Sequence, residues 1–132
     1  MTAFVSHTTI DCHDAYALSE WWREVLGYVT LPDDPNEAGD EECFIQDPES
    51  GHALLFIQVP DTKTVKNRLH LDLRPRTAAR DAELEVLVAH GAEVLADHRG
   101  IHGPGTGWVV LGDPEGNEFC ILRSEAELDA AE

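Results

Sequence analysis

Three short stretches carry the side chains that hold metal ions and move protons. In Ala3–Cys12, alternation puts Val5, His7, Thr9 and Asp11 on one face and Phe4, Thr8, Ile10 and Cys12 on the other. In Arg68–Arg74 the alternation is strict: Arg68, His70, Asp72 and Arg74 share a face, and Leu69, Leu71 and Leu73 form its back. Glu118 and Cys120 lie two residues apart on a third strand-like stretch, so they face the same side. Imidazole, carboxylate and thiol groups ligate divalent ions, and the first two also act as general acids and bases. Faces this polar are not ordinary core, whereas the apolar backs are what a helix could cover.

The elements that must position these groups form a repeat. Gly107–Leu122 reads as two strands joined by the turn Asp113-Pro114-Glu115-Gly116-Asn117. A blurred copy, Asp47-Pro48-Glu49-Ser50-Gly51 between Cys43–Gln46 and His52–Gln58, stands about 66 residues earlier. His7-x-x-Ile10 overlays His70-x-x-Leu73. Helical periodicity covers Asp14–Leu26, with Asp14 as cap and Gly27 as terminator, and again Thr77–His90, closed by Gly91. Leu84, Leu87 and Val88 form the second helix's apolar stripe, and Trp21 and Trp22 read as packing residues. Tyr28–Leu31 and Ala92–Ala96 supply one further strand to each half. The order strand–helix–strand–strand–strand, twice over, predicts an α+β fold. Its modules span about 3–59 and 67–123 of a single domain, 1–132, and 124–132 is a frayed helical turn or a solvated tail.

Bulk properties narrow the function. At 132 residues the chain can bury roughly 68% of its unfolded surface, enough for a core. A net charge of −17 argues against nucleic acid and anionic membrane as partners, since phosphate binders cluster Lys and Arg. That charge would suit a cationic ligand, and solvation of the surface explains it more simply. No apolar leader or spanning segment is visible, and three irregularly spaced Cys fit reduced thiols in a cytoplasm. Pro32–Glu42 is an acidic loop, expected to be the most mobile segment. It lacks the Asp-x-Asp-x-Asp-Gly spacing of a calcium loop. His98 and His102 sit in a Gly-rich loop, as surface residues or as part of a lid.

The His7-x-x-Ile10 strand, Trp22–Tyr28, His70-Leu71-Asp72-Leu73 and the Asp113–Asn117 turn together resemble the vicinal oxygen chelate superfamily, which holds glyoxalase I, extradiol dioxygenases and the bleomycin- and fosfomycin-resistance proteins. Val65–Leu73 with Gly116–Cys120 resembles its bacterial glyoxalase-like subgroup. The resemblance implies paired βαβββ modules forming a curved, mainly antiparallel sheet, with helices on the convex face and a ligand cup on the concave one. It also implies a homodimer, swapped or edge-paired. Its metal-using members take ligands from the first and last strand of each half, which places them at His7, His70, Leu55 and Cys120. Leu55 cannot ligate, and Cys120 stands where glyoxalases have Glu. Glu118 is the alternative third ligand, giving His7, His70 and Glu118 around Zn, Ni, Fe or Mn; Cys120 could instead ligate as a thiolate, which would favour zinc. Asp72 and Glu118 are the candidate bases. Asp11, Leu55, Ile57, Arg74, Trp108 and Cys120 are the candidate ligand contacts. Also open is a metal-free cup in which Asp11, Asp72 or Arg74 hold the two His, and Cys120 is a buried small hydrophobe. Two functions follow. One is a glyoxalase-like cup that binds a small organic molecule, with or without a divalent metal. The other is a metal-dependent lyase, isomerase or oxygenase acting on an oxygen-rich substrate, with true glyoxalase I chemistry disfavoured by Leu55 and Cys120.

Overall fold

A computed structural model describes residues 1–130, and they form two compact units, Met1–Thr62 and Lys63 onward. The first unit contains β1 (Thr8–Cys12), α1 (Ala15–Leu26), β2 (Glu42–Gln46) and β3 (Ala53–Gln58). Its sheet runs β1-β3-β2, with β1 parallel and β2 antiparallel to β3. The second unit contains β4 (Leu71–Leu73), α2 (Arg80–Ala89), β5 (Glu93–Asp97), β6 (Val109–Gly112), β7 (Glu118–Ile121) and α3 (Glu125–Ala130). Its sheet runs β4-β7-β6-β5, again with one parallel pair, β4 with β7. The α+β class therefore stands, with both sheets mixed; the second unit keeps the βαβββ order, and the first shows it with one strand reduced to isolated bridges. No helix among the described residues is long and apolar enough to cross a membrane.

The helix signals act as the sequence implies. The Asp14 carboxylate accepts from the Ala17 N–H, filling one orphan donor of the first turn. Gly27 ends α1 at φ 69°, where a side chain would be strained. Leu18 and Trp22 point inward, and Trp22 is 1% exposed. Trp21 meets Trp22 edge-on, with ring centroids 5.2 Å apart.

Four expectations need correction, the first being the strand expected at Arg68–Arg74, which is formed only over Leu71–Leu73 and leaves Leu69 exposed. Tyr28–Leu31 is not a strand but two isolated bridges, Val29 to Gln46 and Leu31 to Asp34, because the turn at 31–34 ends the ladder. The first strand begins at Thr8 rather than Ala3, which leaves His7 just outside it. The second helix starts at Arg80 rather than Thr77, and Val88 is exposed. Its cap comes from elsewhere: Glu127 Oε1 accepts from the Arg80 N–H at 2.6 Å. Ser124 and Glu127 also cap each other at the start of α3, so the tail begins as an ordered turn. The acidic loop is tied at its middle, where the Asn36 amide pairs with both backbone groups of Phe44 on the edge of β2.

The two hairpins share one device. Asp113 Oδ1 accepts from the N–H groups of Glu115 and Asn117, and the Asn117 amide returns to both carboxylate oxygens. Gly116 takes φ 84°, as this turn requires. In the first unit Asp47 Oδ1 accepts from Glu49 and its second oxygen from Ser50, with Gly51 at φ 79°. Asp113 is only 4% exposed. Replacing it with Ala leaves part-buried N–H groups unpaired. We expect Asp113→Ala to cost about 2 kcal/mol in urea denaturation, and an unchanged midpoint would show that the turn forms without its side chain.

Candidate functional site

The register of the second sheet builds one polar face. Cys120 on β7 lies beside Asp72 on β4 and beside Val110 on β6. Side chains alternate along a strand, so Glu118, Cys120 and Leu122 face one way and Phe119 and Ile121 the other. Phe119 and Ile121 are buried in the core with Leu111 and Val109. The opposite face lines a cavity of about 440 Å³ walled by Lys66, His70, Asp72, Trp108, Val110, Glu118, Cys120 and Leu122. Glu118 and Cys120 thus share a face, as the alternation requires.

His70, Asp72 and Cys120 each present a donor atom within 4.8 Å of the others. His70 Nε2 stands 3.3 Å from Asp72 Oδ1, and both side chains are open to solvent. Cys120 is 4% exposed and lies at the base of the cluster. Burial, and then the neighbouring Asp72 carboxylate, push its thiol up to about 11. It is therefore a neutral thiol at physiological pH.

Glu118 is bound differently. Its Oε1 takes the Lys66 ammonium at 2.7 Å, its Oε2 takes the Asn67 N–H at 2.7 Å, and Lys63 stands 3.6 Å away. The Lys66 ammonium first, and then the Asn67 N–H, hold its carboxyl below the ordinary range. A carboxylate stabilised in this way is a weak base and is already neutralised.

Trp108 forms the cavity's aromatic wall. The His98 ring lies 5.0 Å from it and the His102 ring 6.5 Å, both tilted. The loop that carries them is fixed from behind. Arg80, almost fully buried, donates from Nη1 to the carbonyls of Thr106 and Gly107. Gly107 has φ 90°, and a Cβ there would lie 1.9 Å from the His98 carbonyl oxygen, so only glycine fits.

In the first unit Thr9 registers with Leu55 and Asp11 with Ile57, and both apolar residues are half-buried. His7 is exposed there, 2.9 Å from the Ser6 hydroxyl. Arg74 is turned to the Arg123 carbonyl at 2.7 Å. Lys66, Asn67, Val110 and Leu122 belong to the site and were not singled out from the sequence. Parity with Trp108 and Cys120 gave Val110 and Leu122 away, whereas nothing local marked Lys66 and Asn67 as partners of Glu118.

The profile of the glyoxalase-like domain matches residues 7–122. The chain belongs to the glyoxalase-like domain family. That family lies in the vicinal oxygen chelate superfamily, and solved structures agree on the fold. A mutant of the fosfomycin resistance protein FosX from Listeria monocytogenes, complexed with Mn(II) and 1S,2S-dihydroxypropylphosphonic acid, superposes with TM-score 0.69 at 16% identity over all of both chains. FosX from Mesorhizobium loti gives 0.64 at 14% identity, also over all of both chains. A glyoxalase/bleomycin resistance protein/dioxygenase family enzyme from Burkholderia phytofirmans PsJN gives 0.66 at 20% identity, over 90% of this chain and 97% of that one. No curated protein matches the sequence.

The Glu118 pairing has a pH signature. A depressed carboxyl stabilises the fold above its ordinary value of 4.5 and loses that contribution as pH falls through the lower folded value. Lys66 is 74% exposed and solvent screens the pair, so the contribution is about 1 kcal/mol. We expect Glu118→Gln to be less stable than wild type by that amount at neutral pH, with the gap closing in acid. A gap independent of pH would show that the pairing contributes nothing.

Proposed function

We propose that this glyoxalase-like chain binds a small organic molecule in the cavity of its second unit, with a divalent ion as part of the site. The observation that carries this reading is the composition of the wall. Donor groups of three kinds converge on one side, and Trp108, Val110 and Leu122 offer apolar contact on the other. The donor set suits a divalent ion: a nitrogen, an oxygen and a sulfur atom lie close enough to meet one centre. When bound, an ion would supply a positive charge able to hold and polarise a ligand oxygen. The chain's own groups would do the rest. Trp108 would stack or pack against the ligand body. Lys66, at the rim, would meet an anionic edge. The FosX structure from Listeria, with its Mn(II) and diol phosphonate, supports the pairing of metal and small oxygen-rich ligand in this fold. The reading includes a homodimer in a reducing cytoplasm, consistent with three buried cysteines outside any disulfide.

A second reading, a metal-dependent lyase, isomerase or oxygenase, is favoured by Asp72. This carboxylate opens to the cavity beside His70 and could accept a proton from a bound substrate. Glu118 is less suited to that task while Lys66 holds it. Leu55 and Cys120 stand where the superfamily's usual bases would be, so the glyoxalase I reaction is not supported.

The test is metal content and thermal denaturation of untagged protein with Zn, Ni, Mn and Fe. We expect about one ion per chain and a rise in Tm of several degrees, both lost in His70→Ala. No bound ion and no shift with any of the four would contradict the metal part of the reading.

A further inference from the structure

We infer that His70, Asp72 and Cys120 form a self-contained three-donor site within the second unit, and that its nitrogen–oxygen–sulfur set selects a borderline-soft ion of the zinc class over a hard ion such as Mn(II). The inference rests on the metal part of the reading above and names both the ligands and the ion class.

The backbone sets the spacing. Asp72 and Cys120 are register partners on neighbouring parallel strands, so their side chains leave the sheet side by side. His70 precedes Asp72 by two residues and already points at it, with Nε2 3.3 Å from Oδ1. All three donor atoms lie within 4.8 Å of one another. Bonds of about 2.0–2.3 Å to a tetrahedral zinc would bring donors to about 3.3–3.8 Å apart. Side-chain rotation of the two exposed residues, His70 and Asp72, can supply that contraction while the sheet stays fixed. Three protein donors also leave a position for a ligand from the cavity.

The chemistry sets the choice of ion. Sulfur favours zinc-class ions, whereas manganese and magnesium prefer all-oxygen shells. The other carboxylate on this face, Glu118, is held by two ammonium groups and a backbone N–H, so Asp72 is the oxygen donor at hand. On ligation Sγ bonds to the ion and its proton passes to solvent, with no change of oxidation state.

Cobalt(II) makes the site visible. We expect metal-stripped protein to take one Co(II) per chain and to show a thiolate-to-cobalt charge-transfer band in the near ultraviolet. Zn(II) should displace it, and Mn(II) in about 100-fold excess should not. Cys120→Ser should abolish the band. Asp72→Asn should keep the band and weaken binding about tenfold, with circular dichroism confirming that both variants fold. Cys12 and Cys43, buried in the first unit, remain in every variant and serve as internal controls. Co(II) bound without the band, or unaffected by Cys120→Ser, would overturn this site while leaving a metal-dependent cavity standing. Failure of every ion to bind would overturn both.

Discussion

The second unit depends on the register of one hairpin. Asp113 folds the turn around its own carboxylate, and that turn decides which residues of β7 face the core. With the register as it is, Phe119 and Ile121 are buried, and Glu118, Cys120 and Leu122 reach the cavity. A slip of one residue would send two large apolar side chains into solvent and bury a carboxylate. The core therefore enforces the site: the apolar face holds the polar face in place. Position in the ladder then brings Asp72 beside Cys120 without any contact between distant loops.

The cavity divides its charges between two tasks. Glu118 serves the fold, clamping the segment 63–67 onto β7 through Lys66, Asn67 and Lys63. Asp72 and His70 have no such commitment to cations and face the open space. The wall is backed in the same way. Arg80 brings a charge into the interior, where the Thr106 and Gly107 carbonyls and the adjacent Asp81 satisfy it. It thereby fixes the loop leading into Trp108. Gly107 permits the close approach that this loop requires.

Much of this was legible in the sequence because local chemistry decides it. Asp14 and Gly27 bound α1, Asp113 and Gly116 made the turn, and period-two alternation put Glu118 with Cys120 and His70 with Asp72. Where distant groups compete, local reading fell short. The start of α2 is set by Glu127, 47 residues away. Glu118 looked like a spare carboxylate because its lysine partners lie 52 and 55 residues earlier. The strand expected at Tyr28–Leu31 shrank to isolated bridges where the turn at 31–34 intervened. Extended ends were overestimated for a related reason: alternation continues through Ala3–His7, but no neighbour strand pairs with it there.

The most direct test locates the ion itself. Crystals of the protein grown with Zn(II), measured on both sides of the zinc absorption edge, would show where zinc sits from anomalous differences alone. The account predicts one strong peak per chain, within bonding distance of His70 Nε2 or Nδ1, an Asp72 oxygen and Cys120 Sγ. A peak bonded to Glu118 in place of Lys66, or no peak in this cavity, would contradict it.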